Sequence, residues 1–244
     1  MNSQWRSKTI CALASVLTAA LAVLIVLPAD AENVRSQDSK IAELTTMTLG
    51  ATEDDVRQAL NEYAIDEEIT AEEALDAALA EQSEAIRHSG QYRDRSSESG
   101  KVKLPTSYHK SDIYFTQTAI GAGHVGIYGD TYWVVEASGP EWKSDWYYNT
   151  TINVMPGANL LEVNTTQGKR DKAADYAYKN LRHRPYNLIF WNNKKDNGSL
   201  NCSQLVWLAY SKGAGIDLDG NGGKGVYPID IFTSSKTRVN WVVR

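Results

Sequence analysis

Cysteine is scarce in this sequence: Cys11 and Cys202 are the only two among 244 residues. Two cysteines cannot form a framework of several disulfides, and they cannot supply a zinc site built from several thiolates. Histidine is nearly as scarce, with four residues, so a catalytic cysteine would have few possible bases. The sequence also shows no internal repeat, which excludes a repeat array.

The first 31 residues have the pattern of a secretory signal peptide. A charged start precedes an apolar run over residues 10–27, and Ala29-Asp30-Ala31 follows as a small-x-small cleavage site. We expect cleavage after Ala31 and a secreted or cell-envelope protein that has no membrane contact afterwards. An uncleaved anchor is the alternative, because the run is close to the length of a membrane span.

Cys11 lies in the middle of that run and not at its end, which argues against lipoprotein processing. Removal of the signal would leave Cys202 as one unpaired cysteine in an exported chain, where cysteines are usually paired. Three uses are open for it: an intermolecular disulfide, an inert buried thiol, or a nucleophile.

The charge of the remaining chain is divided unevenly. Residues 38–88 contain 14 Asp/Glu and 3 Lys/Arg, a net charge of −11, whereas residues 89–244 contain 14 and 19, a net charge of +5. This asymmetry indicates two functional parts. We predict an acidic helical segment over residues 32–88, a polar linker over 89–103 and a main domain over 104–244. The acidic segment is interpreted as a pro-segment or wall-targeting element, or as a solvated extension without a specific role.

Two capping boxes mark helix starts in the acidic segment. Thr52 and Thr70 are each followed three positions later by an acidic residue, Asp55 and Glu73. We expect two or three short helices there. Their apolar faces are too small for an independent core, so they should pack on each other or on the main domain.

The main domain alternates between strand and helix patterns. Residues 124–128 and 132–136 alternate in period two around a glycine–aspartate turn, which predicts a β-hairpin. Residues 171–181 and 202–212 have helical periodicity, and the C-terminal stretch 226–231 returns to a strand pattern. The combination predicts an α+β fold in which an antiparallel sheet packs against a few helices.

Cys202 begins the second of these main-domain helices. Asn201 is a favourable N-cap, because its side chain can accept hydrogen bonds from the first-turn N–H groups. The positive end of the helix dipole and those N–H groups both favour a thiolate at this position. This placement is typical of a sulfur nucleophile, although a small buried hydrophobe is the commoner role of a free cysteine.

A cysteine nucleophile needs a base, and His124 is the best placed of the four histidines. Nearby glycines allow a ligand or backbone to approach it closely, and the start of a strand gives it a rigid mount. His88 and His109 lie in polar surroundings, and His183 lies among arginines that would disfavour its protonated form. Glu136, on the paired strand, is the candidate that orients the imidazole.

The role of Glu136 depends on the register of the hairpin. A two-residue turn at 129–130 would place His124 opposite Val135, whereas a three-residue turn at 129–131 would place it opposite Glu136. With the two-residue turn, Glu136 would point away from His124 and would be an ordinary solvent-facing residue.

Four stretches occur in an informative order: GHVGIY at 123–128, VEA at 135–137, PYNLIF at 185–190 and NCSQLV at 201–206. Together they resemble the circularly permuted branch of the NlpC-type papain-like cysteine hydrolases, the YiiX-like proteins. The resemblance covers residues 104–244. In that branch the chain order is His, Glu, Cys, as it is here.

The resemblance implies a permuted papain-like fold with Cys202 as nucleophile, His124 as general base and acid, and Glu136 as orienter. The Cys202 backbone N–H would supply part of the oxyanion hole. The family includes amidases and peptidases of bacterial wall peptides, which implies a peptide or muropeptide substrate at the cell wall, with no cofactor, metal or nucleic acid. The candidates for lining the substrate cleft are Tyr186, Asn201 and Ser203, with a buried packing role as the alternative for Tyr186.

Two further features have competing interpretations. The loop 217–223 resembles a calcium-binding loop, but the twelfth position holds Pro228 and not an acidic ligand, so a glycine-rich loop is favoured. Four tryptophans could stack on sugars, but core packing explains them more simply. They are Trp133, Trp142, Trp146 and Trp191.

Three functions fit these features. The first is an exported cysteine amidase or peptidase that acts on peptidoglycan stem peptides. The second is a wall-binding protein that kept the fold without turnover. The third is a thiol acyltransferase or lipid hydrolase, because permuted relatives also process acyl chains.

Overall fold

The computed structural model describes residues 35–92, 100–118 and 121–244. The signal peptide predicted for residues 1–31 lies outside these ranges, as does part of the predicted linker. Residues 35–244 form one compact unit. Within the described ranges, no helix combines the length and the hydrophobicity that a membrane span requires.

Most of the described strands belong to one antiparallel sheet. The strands are β1 (Val102–Lys103), β2 (Ile113–Thr116), β3 (His124–Tyr128), β4 (Trp133–Glu136), β5 (Asp145–Tyr148), β6 (Asn153–Val154), β7 (Asn159–Val163) and β8 (Thr237–Val242). Six of them form the main sheet in the order β5-β4-β3-β2-β7-β8, and β1 pairs with β6 in a separate two-stranded ladder. The predicted hairpin therefore lies near the middle of the main sheet.

The helices of the described chain lie before the strand-forming region and between its strands. They are α1 (Gln37–Met47), α2 (Glu53–Glu67), α3 (Ala71–Gln91), α4 (Gln167–Asn180), α5 (Cys202–Ala214) and α6 (Pro228–Thr233). The first three form the acidic segment. The predicted helices 171–181 and 202–212 correspond to α4 and α5.

One face of the main sheet packs against α4 and α5. Ile113, Ile127 and Leu161, from three adjacent strands, are fully buried in one cluster with Ala173 of α4 and Leu205 of α5. Burial of such side chains contributes about 1.5–3 kcal/mol each. This arrangement confirms the predicted α+β fold, with an antiparallel sheet packed on the cysteine-bearing helix.

The other face of the main sheet is covered by the two-stranded ladder. Tyr128 and Val134 on this face are fully buried together with Leu104 and with Val154 of β6. Side chains alternate between faces along a strand. His124 is four residues before Tyr128 and Glu136 is two residues after Val134, so both belong to this second face of their strands.

The three acidic helices share a small core that includes one residue from the main domain. Both predicted capping boxes are present, at Thr52 and Thr70. The core of the helices contains Leu44, Leu60 and Leu75, together with the fully buried Trp191. The helices therefore pack both on each other and on the main domain.

The stretch predicted as a strand at 226–231 contains the start of α6 instead. Pro228 is the first helical residue, where its missing N–H costs nothing, and Asp230 accepts a hydrogen bond from the Tyr227 N–H at 2.9 Å. The strand prediction is wrong here because the apolar alternation outweighed these two helix-start signals.

Candidate active site

The N-terminus of α5 is held by a reciprocal capping box. The side chain of Asn201 accepts from the Gln204 N–H at 2.9 Å, and the side chain of Gln204 accepts from the Asn201 N–H at 3.3 Å. This confirms Asn201 as the N-cap. Cys202 is the first helical residue and is 1% exposed. Its backbone N–H belongs to the first turn, whose N–H groups have no partner within a helix.

His124 is the first residue of β3, where it pairs with Thr116 of β2. Gly123 precedes it with a φ of +96°, and a Cβ there would lie 2.6 Å from the ring of Phe115. The chain therefore needs glycine to reach this position. The imidazole is hydrogen-bonded to Cys202, and its Nε2 lies 3.5 Å from Oε2 of Glu136.

The register of the hairpin differs from both sequence alternatives. The strands turn through residues 130–132, one position later than expected. This register places Gly126 opposite Glu136 and leaves His124 two positions away, so the prediction that His124 faces Glu136 directly is wrong. A shift of two positions keeps both side chains on one face, and such diagonal neighbours are within reach of long side chains.

The carboxylate of Glu136 is buried and fully engaged. Its residue is 5% exposed. Ser138 Oγ donates to Oε1 at 2.7 Å, and the Tyr114 hydroxyl donates to Oε2, the oxygen that also faces His124. Sequence reasoning missed Tyr114 and Ser138. The available signal was the glycine at 126, because glycine inside a strand often marks a close approach of another group.

The charges within this cluster reinforce one another. Burial on its own lowers the pKa of His124, but the charge and hydrogen bond of Cys202 and those of Glu136 outweigh it and raise that pKa from 6.5 to about 10. Burial also opposes ionisation of Glu136, yet the hydrogen bond and charge of His124, with hydrogen bonds from Tyr114 and Ser138, hold the pKa of Glu136 below its usual value. The arrangement favours the imidazolium form of His124.

Tyr186 lies close to the cysteine, as expected for a residue of the cleft. It is half-buried, and burial together with the charge of Cys202 raises the pKa of its hydroxyl well above the ordinary value. It also packs against the core cluster that contains Cys202. Its role in substrate contact stays a prediction.

Asn201 and Ser203 do not line a cleft, which corrects the prediction for both. Each is 0% exposed. Ser203 Oγ donates to the Val226 carbonyl oxygen at 2.6 Å, and Asn201 Nδ2 donates to the Ile189 carbonyl oxygen at 2.9 Å. A side chain committed to the helix cap and to neighbouring backbone cannot also face a substrate. Both residues fix the start of α5 instead.

The other three histidines have different neighbours. His88 lies against the ring of Tyr92, and Nδ1 of His109 lies 4.0 Å from Asp112. His183 has a φ of 64° and lies 3.7 Å from Asp145. Of the histidines, the structure brings His124 to the cysteine.

A lysine ammonium group lies in the loop 217–223. Lys194 Nζ donates to Asp219 and to the carbonyl oxygen of Gly223. The Asp219 side chain is 1% exposed. Asp217 Oδ1 accepts from the Asp219 N–H at 3.0 Å, so the oxygen atoms that a calcium ion would use are engaged by protein donors. Among the described residues, no group of three His, Cys, Asp or Glu side chains is arranged to hold a metal ion.

The four tryptophans have different environments. Trp191 is 0% exposed and Trp146 packs against the main core, which agrees with the packing interpretation. Trp133 and Trp142 are 36% and 61% exposed.

The fold and the site define an α+β protein with a buried cluster of cysteine, histidine and glutamate. No family model matches the chain. The chain is 32% identical over 232 residues to the uncharacterized protein YycO of Bacillus subtilis (strain 168), and the match covers 88% of this chain and 89% of that protein. It therefore belongs to the family of YycO.

One solved structure was also found to be similar. The crystal structure of the metalloprotein yiiX from Escherichia coli O157:H7 superposes with a TM-score of 0.41 and 14% sequence identity. The match covers 57% of this chain and 98% of that chain. The assignment to the permuted NlpC-type branch stays a prediction.

Proposed function

We propose that the protein is an exported cysteine hydrolase that cleaves amide bonds. The observation that carries the proposal is the convergence of Cys202, at the start of a buried helix, with His124 and Glu136 on the neighbouring sheet. A nucleophile, a base bonded to it and a group bonded to the base are the parts that acyl transfer requires. Export rests on the signal-peptide pattern of residues 1–31.

The reaction runs through a thioester. The Cys202 thiolate attacks the carbonyl carbon and forms the C–S bond, and the tetrahedral intermediate collapses as the C–N bond breaks. His124, as imidazolium, gives its proton to the leaving amine. Water then attacks the thioester, His124 takes the proton from it, and the C–S bond breaks to release the acid and restore the thiolate.

The start of α5 stabilises the charge that develops in this reaction. The oxyanion of the tetrahedral intermediate would accept a hydrogen bond from the Cys202 backbone N–H, at the positive end of the helix dipole. The cap formed by Asn201 and Gln204 fixes that N–H in place before substrate arrives. Glu136 remains ionised and keeps His124 oriented, in the role of the third member of a triad.

Peptidoglycan stem peptides are the substrate class we propose. The support is the motif resemblance to wall-peptide hydrolases, together with the signal peptide. A non-catalytic wall-binding protein and a thiol acyltransferase or lipid hydrolase are the alternatives that the same motifs allow.

Incubation of the protein with purified muropeptides tests the proposal. We expect wild type to release new amine groups and truncated peptides, and Cys202→Ala to release none. In a chain that keeps residues 1–31, Cys11→Ala is the matched control, because it removes the other cysteine and should keep full activity. If wild type releases nothing that Cys202→Ala fails to release, the hydrolase proposal is wrong. A thioester trapped on Cys202 from a fatty-acyl donor, without muropeptide cleavage, would favour the acyl-transfer alternative.

A further inference from the structure

A tyrosine reaches Glu136 from two strands away. Tyr114 is on β2 and Glu136 is on β4, and β3 lies between these strands. Adjacent strands are about 4.8 Å apart, so the backbones are separated by roughly 10 Å. The Tyr114 side chain crosses this gap, and its hydroxyl donates to Oε2 of Glu136.

Gly126 makes the crossing possible. It pairs with Tyr114 in the sheet, directly below the tyrosine ring. A Cβ at this position would lie 2.5 Å from Cε1 of Tyr114 and 3.1 Å from Cβ of Glu136. Any side chain at 126 would therefore displace the ring or the carboxylate.

The hydroxyl contact determines how the carboxylate faces the imidazole. Ser138 Oγ holds Oε1 at 2.7 Å, and Tyr114 holds Oε2, which lies 3.5 Å from Nε2 of His124. Tyr114 is 0% exposed, and its ring centroid is 5.8 Å from that of His124. With both oxygens anchored, the carboxylate cannot rotate away from His124 without breaking a buried hydrogen bond.

We propose that Tyr114 is a positioning residue, which holds Glu136 across Gly126 in the orientation and charge state that pairs with His124. This inference rests on the proposed function, since it assigns Tyr114 to the same site. A buried carboxylate that lacks donors tends to take up a proton. The phenol stabilises the ionised form without adding a cation that would compete with the imidazolium.

Tyr128 provides a matched comparison. It is also fully buried and lies on the same sheet face, but its hydroxyl donates to the Pro105 carbonyl oxygen at 2.6 Å, outside the site. Tyr114→Phe and Tyr128→Phe each remove one buried hydroxyl. A merely structural role for Tyr114 predicts similar behaviour for the two variants.

The test is the titration of the His124 imidazole, followed by NMR in the full chain. We expect Tyr114→Phe to lower the pKa of His124, because the Glu136 carboxylate is then free to turn away from the imidazole, and Tyr128→Phe to leave it unchanged. Glu136→Gln should lower it as well, and the double variant Tyr114→Phe/Glu136→Gln should add no further decrease. A Tyr114→Phe protein that is less stable but keeps the wild-type His124 titration would overturn the inference.

Gly126→Ala provides a second test that keeps the hydroxyl. Its added methyl group displaces the ring of Tyr114, so the His124 pKa should fall in the same direction, and circular dichroism would establish that the variant is folded. The titration needs no substrate. A lack of muropeptide cleavage would therefore reject the proposed function alone, whereas an unshifted His124 in both folded variants would reject the role of Tyr114 alone.

Discussion

The carboxylate of Glu136 reaches the imidazole of His124 diagonally between β3 and β4, with 3.5 Å between Oε2 and Nε2. The two residues are not directly opposite each other, because Glu136 lies opposite Gly126, two positions from His124. What the contact requires is a shared sheet face. A slip of one residue would turn the two side chains to opposite faces, whereas a slip of two preserves the contact.

Glu136→Gln should weaken the ion pair on which Cys202 depends. Loss of the carboxylate charge lets the pKa of His124 fall from about 10 toward 6.5. We expect the rate of Cys202 alkylation by iodoacetamide at neutral pH to fall roughly tenfold, because a less basic imidazole carries less of the positive charge that supports a reactive sulfur. The measurement should use the Cys11→Ala background, so that Cys202 is the only thiol.

Glu162→Gln is the control for that experiment. Glu162 is also buried, but its carboxylate pairs with Arg170 and Arg238, away from the cysteine. Its substitution should reduce stability and leave the alkylation rate unchanged. Equal rates for wild type and Glu136→Gln would contradict the orienting role.

Stability should depend on alkaline pH in a way that Cys202 controls. The pKa of His124 is raised in the folded state, so its contribution to stability is complete below about 6.5 and is lost as pH rises through about 10. Cys202→Ala removes the charge and the hydrogen bond that raise the pKa of His124, so the same loss should occur at a lower pH. Urea unfolding of both proteins at a series of pH values from 7 to about 10 measures this loss of stability. If the free energy of unfolding depended on pH in the same way in both proteins, no such ion pair would form between His124 and Cys202.

Gly126→Ala should destabilise the fold, because its Cβ would lie 2.5 Å from the Tyr114 ring and 3.0 Å from Val134. Overpacking of this kind costs about 1–3 kcal/mol in the free energy of unfolding. Gly168→Ala is the matched control, since nothing lies within 4 Å of a Cβ there. As an early residue of α4, it should be neutral or stabilising by up to ~1 kcal/mol. Chemical denaturation of both variants decides the point, and equal stability would refute the close approach at Gly126.

Lys194→Met should be strongly destabilising, because it leaves the carboxylate of Asp219 buried without its cation. Removal of one partner of a buried pair costs about 3–5 kcal/mol. Lys224→Met is the comparison: its ion pair with Glu67 is at the surface, with the lysine side chain 57% exposed, and should be worth less than about 1 kcal/mol. Thermal unfolding of the two variants should separate them clearly. Similar melting temperatures would show that the loop does not depend on Lys194.

The sequence was sufficient to identify local features whose signals lie close together in the chain. The cap at Asn201 and the glycines around His124 are contiguous with the residues they serve, so the helix start and the strand start could both be located. The antiparallel sheet followed from the hairpin pattern in the same way.

Features that depend on pairing across the sheet could not be located from the sequence. The hairpin turn allows several alignments of similar local quality, and the strands adopt one that the local sequence does not single out. Tyr114 and Glu136 lie on strands that are separated by β3, and they can touch because β3 carries glycine at 126. Adjacency to Cys202 in the sequence did not predict exposure for Asn201 and Ser203, because adjacent helical residues point in different directions.

Trp191 completes the core of the acidic helices although it comes long after them in the chain. During synthesis, α1, α2 and α3 are therefore complete before the Trp191 indole that fills their core. Trp191 itself precedes Cys202 in the chain. Such non-local contacts form late in folding. The order of emergence therefore leaves the core of the acidic helices incomplete until residue 191 has followed them.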